Sequence, residues 1–400
     1  MNVNVLNTKY EKITIVDDFT SLMWCKRYAD VGALDLEIEA TTENLNTFKE
    51  GYYITRDDDD TIYRIESLEI ESDDDGNDKL IVGALDCKCI LHQRITWDQV
   101  FLNNSDVQAF IKEMLTFNFI APSDTRRRIN LRFDDNEELN GIGIAATRQS
   151  TYDDIGEKVI ELCKTYDLGC KVYFNYKTEK FHFSLYKGVD RSINQSIVPR
   201  IVFSPENDNI FSNKYSFDVS QSKNVALVGG EGEGLERKLR SVGTTSGLNR
   251  REVFIDASSA KDESDLVDYF DALINEGKAK LSEMTATKKF EGEIDNNFYR
   301  YKYDYDLGDI VTIKNKYGVT INARIIEIIE TWDNSGYTIE PVYEYIEPDV
   351  DLQDVLFTEM SEALKTEDEN ILIIERSPFI TENEENEIIT EDGKLITLEN

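Results

Sequence analysis

Side chains suited to chemistry are few and scattered in this 400-residue chain: two histidines, His92 and His182, and five cysteines, Cys25, Cys87, Cys89, Cys163 and Cys170. Catalysis by a histidine or a zinc ion would need them placed by a motif. No His-Glu-x-x-His, no Gly-x-Ser-x-Gly and no paired Cys/His spacing occurs. His92, in Leu91-His92-Gln93-Arg94 after a strand, reads as a surface or capping residue. Cys87 and Cys89 stand two apart in a strand-like run, facing one way as buried small side chains, and no cysteine pair has the spacing of a disulfide framework. Gly229-Gly230-Glu231-Gly232-Glu233-Gly234 follows the strand-like Val225-Ala226-Leu227-Val228 and has the look of a phosphate loop. Its two glutamates occupy the place of phosphate charge and no Gly-Lys-Ser/Thr follows, so a strand-end loop accepting positive φ is the better account. Asp57 to Asp60 and Asp73 to Asp78 offer oxygens for calcium without the spacing or terminal glutamate of an EF-hand, and read as solvated hairpin tips. Carboxylate pairs are so common that choosing two as a glycosidase acid and nucleophile would be arbitrary. Arg126-Arg127-Arg128 is the one strong basic cluster, either an anchor for an acidic neighbouring subunit or an exposed turn. No catalytic, cofactor-binding or metal-binding residue is assigned.

Composition narrows the function from the other side. The 79 acids against 44 bases give a formal charge of −35, which argues against binding a nucleic-acid backbone, because phosphate neutralisation needs Lys/Arg stripes. With 40% hydrophobic and 10% aromatic residues the chain can build real cores, and its length predicts two to four domains. The start Met1 to Ile13 lacks an apolar signal segment and no run of 18 apolar residues occurs, so neither a signal peptide nor a membrane span is expected.

The elements that would position any site are mainly strands. In residues 1–98, Leu34, Leu36 and Ile38 alternate with Asp35, Glu37 and Glu39 at period two. Further short strands at Tyr52–Ile54, Ile62–Ile65 and Leu80–Val82 are separated by the acidic turns, which predicts a barrel or sandwich. Residues 99–200 read as a small α+β unit. Ser105 caps one predicted helix carrying Val107, Phe110, Ile111, Met114 and Leu115 on one side. Ser150 or Thr151 caps another carrying Ile155, Val159, Ile160 and Cys163, stopped by Gly169, and a hairpin turns around Lys177 to Lys180. Residues 201–346 return to strands, interrupted by an inserted helix over 262–285 that Ser264 would cap. Residues 347–400 form an acidic extension with 17 acids against 3 bases. It has a predicted helix over Leu352 to Leu364 and a hairpin signal in Glu387 to Thr390, Asp392-Gly393 and Leu395 to Thr397. A lone hairpin is marginal in water, so this one is expected to pair with its own copies or a partner.

The first and third segments look alike. Gly51-Tyr52-Tyr53-Ile54, Arg64-Ile65-Glu66-Ser67-Leu68 and Gly76 correspond to Gly308-Asp309-Ile310-Val311, Arg324-Ile325-Ile326-Glu327-Ile328 and Gly336. The Arg-to-Gly interval is 12 residues in both, and the Gly-to-Arg interval is 13 in one and 16 in the other. Chance similarity between three-strand meanders is the competing account. If the repeat is genuine, the chain holds two similar β-barrels, and three chains in a ring would present six, matching a six-fold tube.

Gly230-Glu231-Gly232-Glu233-Gly234-Leu235-Glu236-Arg237, followed by Gly247-Leu248-Asn249-Arg250-Arg251-Glu252-Val253-Phe254-Ile255-Asp256, resembles a family of phage and prophage tail-tip proteins, the baseplate hubs and tail-associated proteins. So does Tyr305-Asp306-Leu307-Gly308-Asp309-Ile310-Val311 with Ala323 to Ile328. The likeness covers roughly residues 15–345. It implies a mainly β fold with α+β insertions: two tail-tube-like β-barrels at 1–98 and 201–346, one peripheral α+β domain at 99–200, and a β-rich C-terminal extension at 347–400 for spike docking. It implies a non-enzymatic homotrimer that adapts a six-fold tail tube or distal tail protein above to a central spike or fibre below. Tape-measure and baseplate wedge proteins are further implied partners. No cofactor, no membrane and no specific nucleic-acid binding are implied, although DNA passes through the channel of such a ring. The implied location is the tail tip of a virion or phage-tail-like particle assembled in the bacterial host cytoplasm. Some relatives carry a peptidoglycan-cleaving domain after the hub, and the residues after 346 are too few for one. A tail-associated peptidoglycan hydrolase is the alternative, and a receptor-binding adhesin ranks last.

Overall fold

Period-two alternation organises the first module as expected, with Leu34, Leu36 and Ile38 all inside. The computed structural model describes residues 1–72, 78–144, 146–210, 214–234, 237–258, 266–284, 287–291, 294–295, 298–315 and 320–345, together with 387–389 and 395–397. The module consists of β1 (Val3–Leu6), β2 (Lys12–Val16), β3 (Ser21–Arg27), β4 (Ala33–Glu39), the short helix α1 (Thr42–Thr47), β5 (Tyr53–Arg56), β6 (Asp59–Ser72) and β7 (Asp78–Asp86). All its pairings are antiparallel, in the order β2-β1-β5-β6-β7-β4-β3. The sheet curls around one core that includes Trp24, Leu36, Ile54, Tyr63 and Val82. Among the described residues the ladder does not close on itself, because β3 pairs onward with a strand of the other module rather than with β2.

Residues 99–200 carry both helices and strands. Their elements are β8 (Val100–Ser105), α2 (Val107–Leu115), β9 (Leu131–Asp134), β10 (Ala146–Ser150), α3 (Ile155–Thr165), β11 (Gly169–Asn175) and β12 (Lys180–Tyr186). Their core takes in Phe110, Met114, Phe119, Val159 and Phe183 and is continuous with Leu6, Tyr53 and Ile62 of the first module. Both helices begin later than the sequence suggests. Asp106 rather than Ser105 caps α2, accepting from the Ala109 N–H at 2.7 Å, and Asp154 rather than Ser150 or Thr151 caps α3, accepting from Glu157 at 2.9 Å. Ser105 and Ser150 are held in paired strands, which leaves the next free carboxylate to satisfy the helix N-terminus. Gly169 is not the stop of α3. The helix ends at Thr165, Asp167 takes the left-handed turn (φ 59°), and Gly169 opens β11 against the Tyr28 ring. Cys87 and Cys89 lie in a 3-10 helix over Cys87–Gln93 rather than a strand, and both are buried.

The third segment carries β13 (Val202–Phe203), β14 (Lys214–Asp218), β15 (Val225–Gly229), β16 (Leu239–Val242), β17 (Glu252–Asp256), helix α4 (Leu266–Glu283), β18 (Thr287–Glu291), β19 (Ile310–Lys314), β20 (Thr320–Asp333) and β21 (Gly336–Tyr345). Strands β14-β18-β21-β20-β19 reproduce the order of β3-β4-β7-β6-β5, strand for strand and all antiparallel. The likeness extends to irregularities. Each long strand has 14 residues and a bulge directly after its Arg-Ile, at Glu66 between Ile65 and Ser67 and at Ile326 between Ile325 and Glu327. Each meander also opens alike. The Gly51 N–H donates to the Ile65 carbonyl at 2.9 Å and Gly308 to Ile325 at 2.8 Å, while Ile65 and Ile325 donate back to Tyr52 and Asp309. A shared strand order is common, but a shared bulge in shared register is not, and the sequence repeat is therefore a structural duplication.

The modules differ in what they insert. In the second, the connection between β14 and β18 holds the small sheet β16-β15-β17 and α4, whose Tyr269 and Leu273 pack on Val228. Ser264, expected to cap that helix, lies outside the described residues. Helix α4 meets α3 through a buried network in which Lys158 Nζ contacts Glu161 and Glu276, both at 2.9 Å. No described helix is long and apolar enough to cross a membrane. A separate unit, residues 347–400, contains the antiparallel hairpin β22 (Glu387–Ile389) and β23 (Leu395–Thr397), as the sequence indicated. The helix expected over Leu352 to Leu364 lies outside the described residues.

Gly51 and Gly308 both need positive φ, at 75° and 94°, but in different surroundings. A Cβ on Gly51 meets nothing closer than Arg64 Nη2 at 3.5 Å, whereas one on Gly308 meets the Tyr28 ring at 2.3 Å. Gly51→Ala is expected to cost about 1 kcal/mol from backbone strain alone. Gly308→Ala is expected to cost roughly 2–4 kcal/mol, because overpacking adds to the strain. Urea titrations of the two variants check the order, and equal losses would contradict it.

Candidate assembly interface

The two modules join edge to edge. Strand β3 pairs antiparallel with the second half of β20, from Leu22 opposite Trp332 to Arg27 opposite Glu327. The Tyr28 N–H then donates to the carbonyl of the bulged Ile326 at 2.8 Å. On one face of this seam, Arg56 from the end of β5 enters between two indoles, 4.7 Å from the Trp24 ring and 4.8 Å from the Trp332 ring. Its guanidinium, fully buried, lies 3.2 Å from Glu330 of β20 and 3.0 Å from Asp58. Tyr337 donates its hydroxyl to the same Glu330 at 3.1 Å. Burial by itself would lower the pKa of Arg56, but the carboxylates of Glu330, Asp59 and Asp58 outweigh it and raise the value. On the other face, Arg27 pairs with Glu327 at 3.1 Å, and Cys25 donates its thiol to Glu327 at 3.0 Å. Burial first, then that carboxylate, push the Cys25 thiol up to about 12.

Asp59 is the second anchor. The run Asp57 to Asp60 was expected to be a solvated hairpin tip, and Asp58 and Asp60 are indeed exposed, but the Asp59 side chain is only 1% exposed. It accepts from Lys26 Nζ of β3 at 2.7 Å and from Lys302 Nζ, just ahead of β19, at 2.8 Å. One carboxylate of the first module thus holds a cation from each module. Burial would raise its pKa, but the two ammonium groups prevail and hold it well below the usual carboxylate range. Lys26, Asp59 and Lys302 line an open cleft of about 450 Å³ shared with Lys88 and with Lys171 of the α+β unit. In the second acidic run, residues 73–77 lie outside the described residues, and Asp78 opens β7.

The chemically suggestive residues lie elsewhere and apart. His92 bonds Asp154, the cap of α3, at 2.9 Å, so it serves a helix end. His182 is buried, with Nδ1 2.7 Å from Asp134 and Nε2 3.1 Å from the Thr178 hydroxyl. Sequence reasoning missed this hydroxyl–imidazole–carboxylate order, since Asp134 is distant in the chain. Asp134 also accepts from Tyr173 at 2.8 Å, so the network ties β9, β11 and β12, and neither of the two larger clefts is lined by Thr178 or His182. The glycine-rich loop joins the antiparallel pair β15 and β16, not a strand to a helix. Gly232 and Gly234 take φ of 100° and 56°, and Arg237 covers the Gly229 and Gly230 carbonyls. Of the arginine cluster, Arg126 is exposed on Asp124, while Arg127 is buried over the Trp97 ring and donates to the Ile95 carbonyl at 2.7 Å. All five cysteines are free and buried. Among the described residues no group of three or more His, Cys, Asp or Glu is placed to hold a metal.

A family model described as siphovirus ReqiPepy6 Gp37-like protein matches residues 2–343. Among solved structures, the 43 kDa tail protein of prophage MuSo2 from Shewanella oneidensis superposes with a TM-score of 0.54 at 12% identity, covering 87% of this chain and 99% of that one. The prophage tail protein gp18 from Listeria monocytogenes EGD-e gives 0.50 at 9% identity over 90% and 99%. The tail protein from Neisseria meningitidis MC58 gives 0.52 at 10% over 86% and 96%. At these identities the likeness is one of fold. A comparison with curated proteins finds no match.

Removing the Asp59 charge leaves Lys26 and Lys302 unpaired at a buried site, and Asp59→Asn is expected to cost about 3–5 kcal/mol at neutral pH. The folded pKa is depressed, so this stabilisation is complete above the unfolded value near about 4 and is lost as pH falls toward the folded one. Urea midpoints at pH 7 and pH 3 check this: the gap between wild type and variant must narrow at pH 3, and a constant gap would contradict the assignment.

Proposed function

Given that the chain belongs to the siphovirus ReqiPepy6 Gp37-like protein family, a family of siphovirus tail proteins, we propose that it is a structural baseplate hub at the tail tip and that three copies close into a ring. The observation that carries this is the duplication, with its matched strand order and matched bulge, joined edge to edge through β3 and β20. A chain with two equivalent modules lets a three-fold ring offer six similar positions to a six-fold tube. In this reading residues 1–98 and 201–346, the latter interrupted by the inserted helix α4, are two tube-like barrels, open in the single chain. Residues 99–200 form the peripheral unit and 347–400 dock the spike.

The proposed partners are those of a tail-tip ring. A tail tube or distal tail protein sits on one side of the ring and a central spike or fibre on the other, with tape-measure and wedge proteins close by. The strand edges of the acidic C-terminal hairpin suit it to backbone pairing with a spike or with its own copies. A net charge of −35 keeps the channel wall from holding DNA phosphates, so that a genome slides through. The protein works in the assembled particle, put together in the host cytoplasm, and has no catalytic role of its own.

Native mass measurement on the purified chain is expected to give three times the chain mass, and averaged images of the ring should have three-fold symmetry. A strict monomer that fails to bind a tail tube would overturn the proposal. A peptidoglycan zymogram is expected to stay uncleared, and clearing by the isolated chain would establish the hydrolase instead.

A further inference from the structure

The two long strands are equivalent in register but not in environment. From Ile326 to Trp332 no residue of β20 is exposed, because β3 covers that edge. From Glu66 to Ser72, the matching stretch, every residue of β6 is exposed. The contrast is sharpest at single positions. Ile328 and Glu330 are 0% and 4% exposed, and their counterparts Leu68 and Ile70 are 41% and 54% exposed. Leu68 and Ile70 lie opposite Val82 and Leu80 and so share the core-facing side of the sheet, yet nothing described covers them.

The missing cover can be identified from the duplication. In the first module the strand that docks is β3, and its counterpart in the second is β14. Strand β14 pairs with β18 on one side and with nothing on the other among the described residues. The chain therefore has one long strand with an open edge and one edge strand with an open side, and each is the partner type that the other's counterpart already holds. We infer that β14 of one copy of this chain pairs with the Glu66–Ser72 edge of β6 in the next copy, repeating between chains the seam that β3 and β20 make within one. The joint rests on the ring proposed above and specifies where and how it closes.

The register follows without free choice. Trp24 and Tyr215 are counterparts because they stand opposite Leu34 and Phe290, which stand opposite Ala84 and Tyr343, the partners of Ile65 and Ile325. Carrying the intrachain pairs across places Ser67 opposite Asp218, Leu68 opposite Phe217, Glu69 opposite Ser216, Ile70 opposite Tyr215 and Glu71 opposite Lys214. The residue types at those positions suit the joint: the two apolar residues of β6 stand opposite aromatic ones, and Glu71 stands opposite a lysine. The same operation adds chain to chain head to tail, so the contact is heterologous rather than isologous, the kind of contact from which the proposed ring is built when its rotation closes.

Paired cysteines in the full chain test this. Glu69→Cys with Ser216→Cys, and Ile70→Cys with Tyr215→Cys, cover two adjacent positions, one of which must be the closer, non-hydrogen-bonded kind. Glu71→Cys with Asp218→Cys is the out-of-register control. With oxidised glutathione, at least one in-register variant is expected to give covalent oligomers up to the ring number on non-reducing gels, and the control none. The five native thiols are buried and contribute little background. Leu68→Lys with Ile70→Lys, at positions exposed in the single chain, is expected to leave its circular dichroism unchanged and to raise the concentration for half-assembly by at least about tenfold. A native trimer that no in-register pair cross-links, or that only the control cross-links, overturns this joint and leaves the hub reading standing. A monomer at all concentrations overturns both.

Discussion

A single seam of backbone pairing, β3 against the second half of β20, makes one body of two duplicated modules. Unpaired N–H and C=O groups along a strand edge have to be satisfied, and this edge is satisfied by a strand from the other end of the chain. The side chains on it are not passive fillers. Arg56 is held between Trp24 and Trp332 and neutralised by Glu330, while Asp59 takes one lysine from each module. Buried charges of this kind add little net stability, but removing one partner leaves the other charge buried and uncompensated. The seam thus combines backbone pairing with ion pairs that reach across it.

The rest of the molecule is arranged around that constraint. The α+β unit shares its core with the first module through Leu6, Tyr53 and Ile62. It reaches the second by way of the segment after β12, where Asp309 takes the Arg191 guanidinium at 2.7 Å and the Val189 N–H at 2.7 Å. The insertion in the second module returns to the α+β unit through α3 and α4. The tail-protein family and the fold shared with prophage tail proteins agree with one another, and a dense network of buried charges, with Arg56, Glu330, Asp59 and Lys26, lies where the two modules join.

Local patterns made much of this legible. Alternation placed β4, and helical spacing placed α2 and α3. The recurrence of a glycine followed by Arg-Ile exposed the duplication, because a positive-φ glycine and a bulge after the same dipeptide are local features that leave a local trace. What was not legible depended on distant residues. Four consecutive aspartates look alike on paper, and only Lys26 and Lys302, folded in from elsewhere, distinguish Asp59 from its neighbours. Arg56 and Glu330 are far apart in the chain and carry no shared motif. The helix caps were misplaced because Ser105 and Ser150 had already been taken by strands. The cysteines at 87 and 89 follow strand β7, but the chain turns into a 3-10 helix there, which period-two reasoning does not anticipate.

Unequal loop lengths give the duplication a direction. Between the paired strands β3 and β4 the first module spends only residues 28–32, whereas in the second residues 219–286, with a small sheet and a helix, separate β14 from β18. Walking from module to module, one therefore meets a plain unit and then an ornamented one. Any array of such chains repeats its strand order twice for each inserted sheet and helix, as on a gear whose alternate teeth are marked. The two halves of one polypeptide are thus made distinguishable by the length of a single connection, residues 28–32 in one and 219–286 in the other.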